Sequence, residues 1–460
     1  MNVGLMKGVA FLLMIPVCTQ TATVNSVIAT INTGVTPAGL AVTPDNNFAY
    51  VANNNNYGIA GQDSVSVLNL NTNLPLTIIT DVSFDQPYTV TINAAGTKAY
   101  VTNSNGSTVT VINIPANTVS AVITGFDGPS GFVIVPNTDR AYVNNYGGPI
   151  AGSGNGTTIM MVNLLTNLIT GSPITVAQAP AAMAITPDGT RLYVACYVDG
   201  NDGTGVVDVV STSSNTVIAT ITGFSGPFDI AITPDGNYAY VANFGSNNFA
   251  PFGTTVSVID LSSNTIIETI TVGIQPSGIA VAPNGKLVYV TNYNTLYAGS
   301  SFTDLTAGQG TVNIIDVASN TVLPPTIAVG LSPDAIAIAP DGEFAYVSNY
   351  ASNTVSVIAL STFQFMSGTG CQVVNKFLMQ QDVVNELTWT VSGATLPISY
   401  AIYRDAGLTD LVATVPATGT SMIYLDHNLN PNSTYTYYIV GINTANTASN
   451  PLEIVVTESC

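Results

Sequence analysis

The stretch "GPFDIAITPDGNYAYVAN" at residues 226–243, continued by "TTVSVIDLSSNTIIETITVG" at 254–273, decides the fold. Two short runs rich in β-branched and aromatic residues flank "TPDG", where proline fixes φ and Asp and Gly suit a turn. The third run, "TTVSVIDL", alternates with period two, and "SSN" separates it from a fourth, "TIIETITV". Four antiparallel strands, which we name A to D, in a unit of about 40–50 residues are typical of a β-propeller blade.

The unit recurs seven times. Each copy has a proline at the start of strand A and a tyrosine in strand B, always 13 residues apart: Pro37/Tyr50, Pro87/Tyr100, Pro129/Tyr142, Pro180/Tyr193, Pro227/Tyr240, Pro276/Tyr289 and Pro333/Tyr346. The seventh copy has strands A to C but no recognisable D, whereas "NSVIATINTG" (25–34) nearly repeats the D strand "NTVIATITG" (215–223). We therefore predict an all-β protein with a seven-bladed propeller over residues 23–360. Its N-terminal strand closes the last blade and removes an open sheet edge.

Strand B of each copy carries a four-residue motif. It is Tyr-Val-Thr-Asn at 100–103 and 289–292, looser in four further copies, and ends in Cys196 in the fourth. These units resemble the YVTN-type propeller repeat family. The resemblance implies that the Tyr packs between blades and that the Asn caps the end of strand B. It also implies an exported or surface protein, and the wider superfamily includes lactonases, lyases and haem d1 proteins.

The first 22 residues have the pattern of a secretion signal. Lys7 precedes the apolar run "GVAFLLMIPV" (8–17), which is too short to span a bilayer. The alternatives are a buried N-terminal strand and a lipoprotein acylated at Cys18, although "IPV" before that Cys lacks the small residues which such processing favours. No later segment has the pattern of a transmembrane helix.

The repeats stop near residue 360, and we predict a linker over 361–370 and a β-sandwich over 371–460. Trp389 lies in its predicted second strand, and Leu429, Pro431 and Tyr435 have the spacing of a tyrosine corner. This segment resembles a fibronectin type III domain. Cys371 and Cys460 bracket it, which in an exported protein suggests a disulfide, with two free thiols as the alternative. Cys196 is then left as a buried free thiol.

Composition excludes several classes of function. The chain has 26 acidic and 7 basic residues, a net charge of −19, so its surface repels nucleic acid and anionic membranes. Its single histidine, His427, lies outside the propeller. The propeller therefore has no imidazole for a catalytic triad, a His-ligated zinc or a haem. Metal-bound lactone hydrolysis by carboxylates and amides alone stays open.

The candidate binding residues lie on one face. The D–A and B–C connections share a face of the disc, and the B–C connections range from the short "SNGS" to the long 293–310. Long loops on a rigid scaffold are where binding usually evolves. Four residues after the motif Tyr, five copies carry an aromatic residue, interpreted either as packing under the loops or as a ligand-binding ring: Tyr146, Tyr197, Phe244, Tyr293 and Tyr350.

Four carboxylates are further candidates on this face, namely Asp85, Asp127, Asp229 and Asp334. Two of them could act as acid and base, or several could hold a cation, but each more often has a structural role. Asp188, Asp235 and Asp341 lie in the A–B turns and are assigned no chemistry. "DGNDGTG" (199–205) only faintly matches a calcium loop.

We expect a non-catalytic binding or adhesion role outside the cell, with an extracellular protein or a glycan as partner and the periplasm as an alternative location. We expect no cofactor, with calcium as the alternative. The rival hypotheses are a secreted lactonase-like hydrolase and a structural surface-layer component.

Overall fold

The computed structural model describes residues 25–55, 61–148, 155–197, 204–245, 252–297, 305–307, 309–360, 364–377, 380–392, 397, 399–417, 421–426, 429, 433–442 and 452–456. The predicted signal segment 1–22 lies outside them. The chain divides into two compact units with a boundary at residues 361/362, and each is described by itself. In the described residues, we find no helix with the length and apolarity needed to cross a bilayer.

The first unit consists of short β-strands. In chain order they are β1 (Ser26–Asn32), β2 (Pro37–Val42), β3 (Phe48–Asn53), β4 (Ser64–Asn69), β5 (Leu74–Ile79), β6 (Pro87–Ile92), β7 (Lys98–Asn103), β8 (Thr108–Asn113), β9 (Thr118–Thr124), β10 (Pro129–Ile134), β11 (Arg140–Asn145), β12 (Thr158–Asn163), β13 (Leu168–Thr175), β14 (Pro180–Ile185), β15 (Arg191–Cys196), β16 (Thr204–Ser211), β17 (Thr216–Ser225), β18 (Pro227–Ile232), β19 (Tyr238–Gly245), β20 (Phe252–Asp260), β21 (Thr265–Thr271), β22 (Pro276–Val281), β23 (Leu287–Asn292), β24 (Thr295–Tyr297), β25 (Leu305–Ala307), β26 (Gln309–Asp316), β27 (Thr321–Leu331), β28 (Pro333–Ile338), β29 (Phe344–Asn349) and β30 (Thr354–Ala359).

Seven four-stranded antiparallel sheets form the blades. Blades one to five use four consecutive strands each, beginning at β2, β6, β10, β14 and β18, and blade six uses β22, β23, β26 and β27. Blade seven has the order β1-β30-β29-β28, so the N-terminal strand is its outermost member. The predicted seven-bladed propeller with this closure is confirmed.

The stretch "NSVIATINTG" contains the closing strand β1 and ends in a glycine with a structural role. β1 pairs antiparallel with β30 from Ser26↔Ala359 to Asn32↔Thr354, and Ile31 is 1% exposed in the core. Gly34, just after the strand, packs so tightly that a Cβ there would lie 2.6 Å from Cγ of Asn53. The glycine therefore lets the chain turn into blade one against the motif Asn.

Strand A of every blade begins with the same irregularity. The register of each A–B pair shifts directly after the repeat proline. The residue before each proline has a positive φ, between 49° and 57°, although only Gly128 and Gly226 among the seven are glycines. Such β-bulges re-aim side chains. Here they turn the residues after the proline toward the centre of the disc.

The second unit is a β-sandwich. Its strands are β31 (Gln364–Phe377), β32 (Gln380–Ser392), β33 (Ser399–Tyr403), β34 (Leu411–Pro416), β35 (Ser421–Asp426), β36 (Tyr435–Ile442) and β37 (Leu452–Val456). One sheet has the order β31-β32-β35 and the other β34-β33-β36-β37. Trp389 and Tyr400, one from each sheet, meet edge-on with ring centroids 5.2 Å apart in the shared core. Both side chains are almost fully buried.

The start of this unit differs from the sequence prediction. Residues 364–370, predicted as linker, form the first half of β31 and pair with the end of β32, from Gln364↔Ser392 onward. Their Gly and Ser content suggested a loop, but the long partner strand supplies a ladder for them. The Cys371 side chain and Cys460 lie outside the described residues. Cys196 is buried and unpaired, as predicted.

Candidate functional site

The seven A strands surround a cavity of about 140 Å³. Neighbouring A strands contact one another around a closed ring, so the cavity lies on the axis of the disc. Every blade contributes to its wall, mostly through the two residues that follow the repeat proline. The lining residues are Gly39, Tyr88, Thr89, Gly131, Phe132, Val133, Ala181, Ala182, Met183, Phe228, Asp229, Ser277, Asp334 and Ala335.

Close packing of the inner strands explains why so many of these residues are small. A Cβ at Gly39 would lie 2.5 Å from the carbonyl oxygen of Tyr88 in the next blade. Glycine there allows the two inner strands to approach, which narrows the channel. The large or charged side chains of the cavity therefore come from few blades, chiefly the second, fifth and seventh.

The third residue of the Tyr-Val-Thr-Asn motif supports the wall of the axial cavity. The hydroxyl of Thr291 accepts a 2.7 Å hydrogen bond from the N–H of Gly278, and Thr102 accepts one of 3.0 Å from Thr89. These N–H groups belong to the bulged part of strand A. The polar side chain in strand B thus satisfies a backbone donor that the sheet ladder leaves free.

Asp229 and Asp334 both line the cavity. Oδ1 of Asp229 accepts from its neighbour Ile230 N–H at 2.8 Å, and Oδ2 accepts from Ile279 N–H of the next blade at 2.9 Å. Burial raises the pKa of Asp229 to about 6 against the opposing effect of these hydrogen bonds. Burial, and secondly the charge of Asp229, raises the pKa of Asp334 to about 7. The two carboxyl groups therefore titrate near neutrality as an interacting pair.

Tyr88 is the third ionisable side chain that lines this cavity. Burial, and then the charges of Asp334 and Asp229, raises the pKa of Tyr88 well above its ordinary value. Its phenol stays neutral at physiological pH, and its electrostatic interaction with both carboxyl groups places it near them.

Asp85 and Asp127 do not join this pair. Both oxygens of Asp85 accept from Nδ2 of Asn105, at 2.9 and 3.0 Å, beside the turn between strands B and C of blade two. Asp127 is exposed. Among the described residues, no three His, Cys, Asp or Glu side chains are grouped so that they could hold a metal ion. Two of the four predicted acids thus converge and two do not.

The five aromatic residues form a packed layer. Tyr146, Tyr197 and Phe244 are 2–7% exposed. Ring contacts continue through Phe228 to Phe244 at 5.1 Å, from Phe244 to Tyr293 at 6.0 Å, and from Tyr293 to Tyr350 at 6.4 Å. The side chains pack on one another just beyond the B strands, and Phe228 joins the layer to the wall of the cavity.

Backbone hydrogen bonds hold this layer in place. The N–H of each of the five aromatic residues donates to the carbonyl of the residue before the repeat proline, for example Tyr197 to Ala179 and Phe244 to Gly226, both at 2.9 Å. The B–C and D–A connections therefore lie on one face, as predicted. In blade six the long connection contains a hairpin of β24 and β25, with Thr295↔Ala307 to Tyr297↔Leu305 paired. Most of "DGNDGTG" lies outside the described residues.

Sequence reasoning missed Tyr88, Phe228 and Ser277 as cavity residues. A signal for them existed, because each directly follows a repeat proline, as Asp334 does. What could not be foreseen was the bulge that turns this position inward.

Comparisons with known proteins agree with the fold. A family model described as "Lactonase, 7-bladed beta-propeller" matches residues 17–134. The chain is 45% identical over 62 residues, 14% of its length, to the PE-PGRS family protein PE_PGRS18 of Mycobacterium tuberculosis, and the match spans only 13% of that protein. A solved structure, Kuenenia stuttgartiensis hydrazine synthase, superposes with a TM-score of 0.57 at 21% identity, covering 76% of this chain and 99% of that one. Together with the seven four-stranded sheets, these likenesses identify the chain as a β-propeller protein.

Proposed function

We propose that the protein is a non-catalytic binding protein outside the cell, and that its ligand contacts the face with the B–C connections. The observation that carries this is the size of the axial cavity. About 140 Å³ is well below the roughly 300–1,000 Å³ of pockets that enclose substrates and cofactors. A larger ligand would therefore contact the loops rather than the channel.

The loop face supports the proposal in a second way. Blade two joins strands B and C with a four-residue turn, whereas blade six uses residues 293–310 and includes the hairpin of β24 and β25. The packed aromatic layer fixes the residues at which five of these connections begin. Variable connections on an invariant scaffold favour recognition of an extracellular protein or a glycan.

The repeat family, the cellular location and the type of the C-terminal module are also part of this proposal. The motif and its seven registers support a YVTN-type propeller that is exported to the cell surface, with the periplasm as the alternative. The three-plus-four arrangement of the sandwich, with Trp389 in its core, supports a fibronectin type III-like module. Such a module would act as a spacer or a second binding domain.

A loop graft tests the proposal. Residues 294–310 of blade six are replaced by "NGS" from the blade-two turn, which keeps Tyr293 in the aromatic layer. The protein spanning 23–460 is then screened on a glycan array and on intact cells. We expect the graft to lose a binding signal that the parent protein shows, with an unchanged melting temperature. Asn284→Asp, in the exposed A–B turn of the same blade, is the matched control on the opposite face. Retained binding by the graft contradicts the assignment of this face.

A hydrolase is the second candidate, favoured by the pairing of Asp229 and Asp334 in the cavity. One carboxyl group could act as acid and the other as base, since their pKa values lie close to neutrality. Turnover of a lactone panel by the parent protein, lost in Asp334→Asn and kept in the loop graft, would favour this candidate over the first. No turnover by the parent protein would reject it.

A further inference from the structure

The axial cavity has an uncompensated acidic character. Asp334 points its carboxyl group into the cavity and receives no hydrogen bond from any residue that the structure describes. Asp229 has backbone donors only. None of the residues that line the cavity is Lys, Arg or His. A negative charge here therefore has no protein cation to pair with.

The cationic side chains of the propeller lie elsewhere. Lys98, Arg140 and Arg191 are the first residues of their B strands, next to the A–B turns. Lys286 directly precedes the B strand of blade six, also next to its A–B turn. Arg140 donates to the carbonyl of Thr212 at 3.4 Å and Arg191 to that of Leu261 at 2.5 Å. None of these four residues lines the cavity, so the missing counter-charge would have to be a ligand.

The walls of the cavity are aromatic as well as acidic. Tyr88 and Phe228 line it together with small residues. Phe228 is fixed by the aromatic layer. The ring of Phe132, by contrast, stacks on Tyr100 in the core between blades two and three, with ring centroids 4.8 Å apart. Aromatic faces attract cations through the ring quadrupole, most strongly where the cation is desolvated.

A metal ion fits this site poorly. Calcium takes six to eight oxygen ligands and magnesium needs near-ideal octahedral geometry. The side chains of the cavity offer two carboxyl groups, a phenol and the hydroxyls of Thr89 and Ser277. One of these carboxylates already accepts two backbone hydrogen bonds. The volume of the cavity equals that of roughly four to five water molecules. An organic ammonium group of a few carbon atoms matches this volume, the aromatic walls and the charge.

We propose that the axial cavity binds a small organic ammonium ion, with Asp334 as its counter-ion and the rings of Tyr88 and Phe228 beside its alkyl groups. This site lies apart from the loop contacts of the proposed function. Neither proposal depends on the other.

Binding should strengthen as pH rises. A cation interacts favourably with the ionised carboxylates, and the pKa values of Asp229 and Asp334 lie at about 6 and about 7. The other titratable groups that interact with Tyr88 are Tyr146 and Tyr293, both phenols. At pH 5 the pair is mostly protonated and at pH 8 mostly ionised, so the carboxyl groups account for the pH dependence.

Calorimetric titration of the protein spanning 23–460 tests the proposal with tetramethylammonium and choline at pH 5 and pH 8. The neutral isostere of choline, 3,3-dimethylbutan-1-ol, serves as the uncharged probe and calcium as the competing cation. We expect choline to bind at least about tenfold more tightly at pH 8 than at pH 5, and the neutral isostere to bind no better at pH 8. Equal binding of the isostere, no binding of either ammonium ion, or displacement by equimolar calcium would overturn it.

Two variants sharpen the test. Asp334→Asn should weaken choline binding about tenfold or more and reduce its pH dependence, whereas Asp127→Asn, at an exposed carboxyl, should leave both unchanged. Phe228→Leu keeps the charge and removes a ring, and it too should weaken binding. If Asp334→Asn fails to fold, Phe228→Leu together with the pH series decides. Unaltered affinity in either folded cavity variant contradicts the assignment.

Discussion

The backbone N–H of Asn25 donates a hydrogen bond of 2.8 Å to the carbonyl oxygen of Ala359. Asn215 makes the same bond, also at 2.8 Å, to Ser211 within the C–D turn of blade four, and the two asparagines have φ values of 55° and 54°. The closing strand therefore begins in the conformation of a C–D turn, although no covalent turn joins Ala359 to Asn25. Blade seven therefore has the same geometry as a blade built from four consecutive strands, including the residue directly before its outer strand.

Deletion of residues 23–33 should expose the outer edge of β30. Unpaired edge strands promote association, so we expect aggregation and a broadened, less cooperative thermal transition. Deletion of residues 1–22 alone keeps β1 and serves as the control. Light scattering and calorimetry measure the two effects. If the variant that lacks residues 23–33 melts as sharply as the control, the closing strand does not stabilise the ring.

The stability of the propeller should fall as pH rises from about 4 to about 7. Burial raises the pKa of Asp334 above its unfolded value, so the folded state binds protons more tightly than the unfolded state. The stabilising effect of its protonated form is complete below about pH 4 and is lost as pH rises through 7. Asp229 acts in the same direction.

Asp334→Asn removes the free-energy cost of holding an ionised carboxylate in the buried site, because the amide stays neutral at every pH. We expect it to raise the free energy of unfolding at pH 8 by roughly 1–3 kcal/mol and to have little effect at pH 4. Denaturant unfolding at the two pH values measures the difference. Asp127→Asn is the matched control at an exposed position. Equal destabilisation by Asp334→Asn at both pH values would contradict the assigned protonation state.

The fold was predictable from the sequence because the repeat occurs in seven copies with the same 13-residue spacing between proline and tyrosine, from Pro37/Tyr50 to Pro333/Tyr346. The site was predictable only in part. Asp229 and Asp334 stand one position apart relative to their repeat prolines. Whether their carboxyl groups come together depends on the bulge in strand A and on how the seven A strands form a closed ring. The sequence of a single blade does not determine that arrangement. The sequence indicates packing as one possible role of Tyr146 and Tyr197, but their burial depends on contacts with Ala179, Ala181 and Phe244, which belong partly to neighbouring blades.

The motif tyrosines join neighbouring blades. The hydroxyl of Tyr240 in blade five donates to Oδ1 of Asn320 in blade six at 2.7 Å, and Tyr142 makes the same bond to Asn215 at 2.7 Å. Tyr240→Phe should lower the free energy of unfolding by about 1 kcal/mol or more, since it removes this bond and leaves the Asn320 oxygen without it. Tyr100 is equally buried, but the described residues show no such partner for its hydroxyl, so Tyr100→Phe should cost less than about 0.5 kcal/mol. Equal losses in the two variants would mean that packing, rather than the inter-blade hydrogen bond, stabilises these positions.

The third motif residue should also contribute measurably to the free energy of unfolding. Thr291→Val keeps the shape of the side chain and leaves the buried N–H of Gly278 without its 2.7 Å acceptor. We expect the free energy of unfolding to fall by roughly 1–3 kcal/mol, because an unsatisfied buried donor costs more than an ordinary hydrogen bond gains. Thr269→Val, on the exposed outer strand of blade five, is the matched control and should stay within about 0.5 kcal/mol. Hydrogen exchange gives a local readout, since the Gly278 amide should lose protection in Thr291→Val alone. Unchanged protection there would show that the backbone finds another acceptor and that the motif Thr does not hold the wall of the cavity.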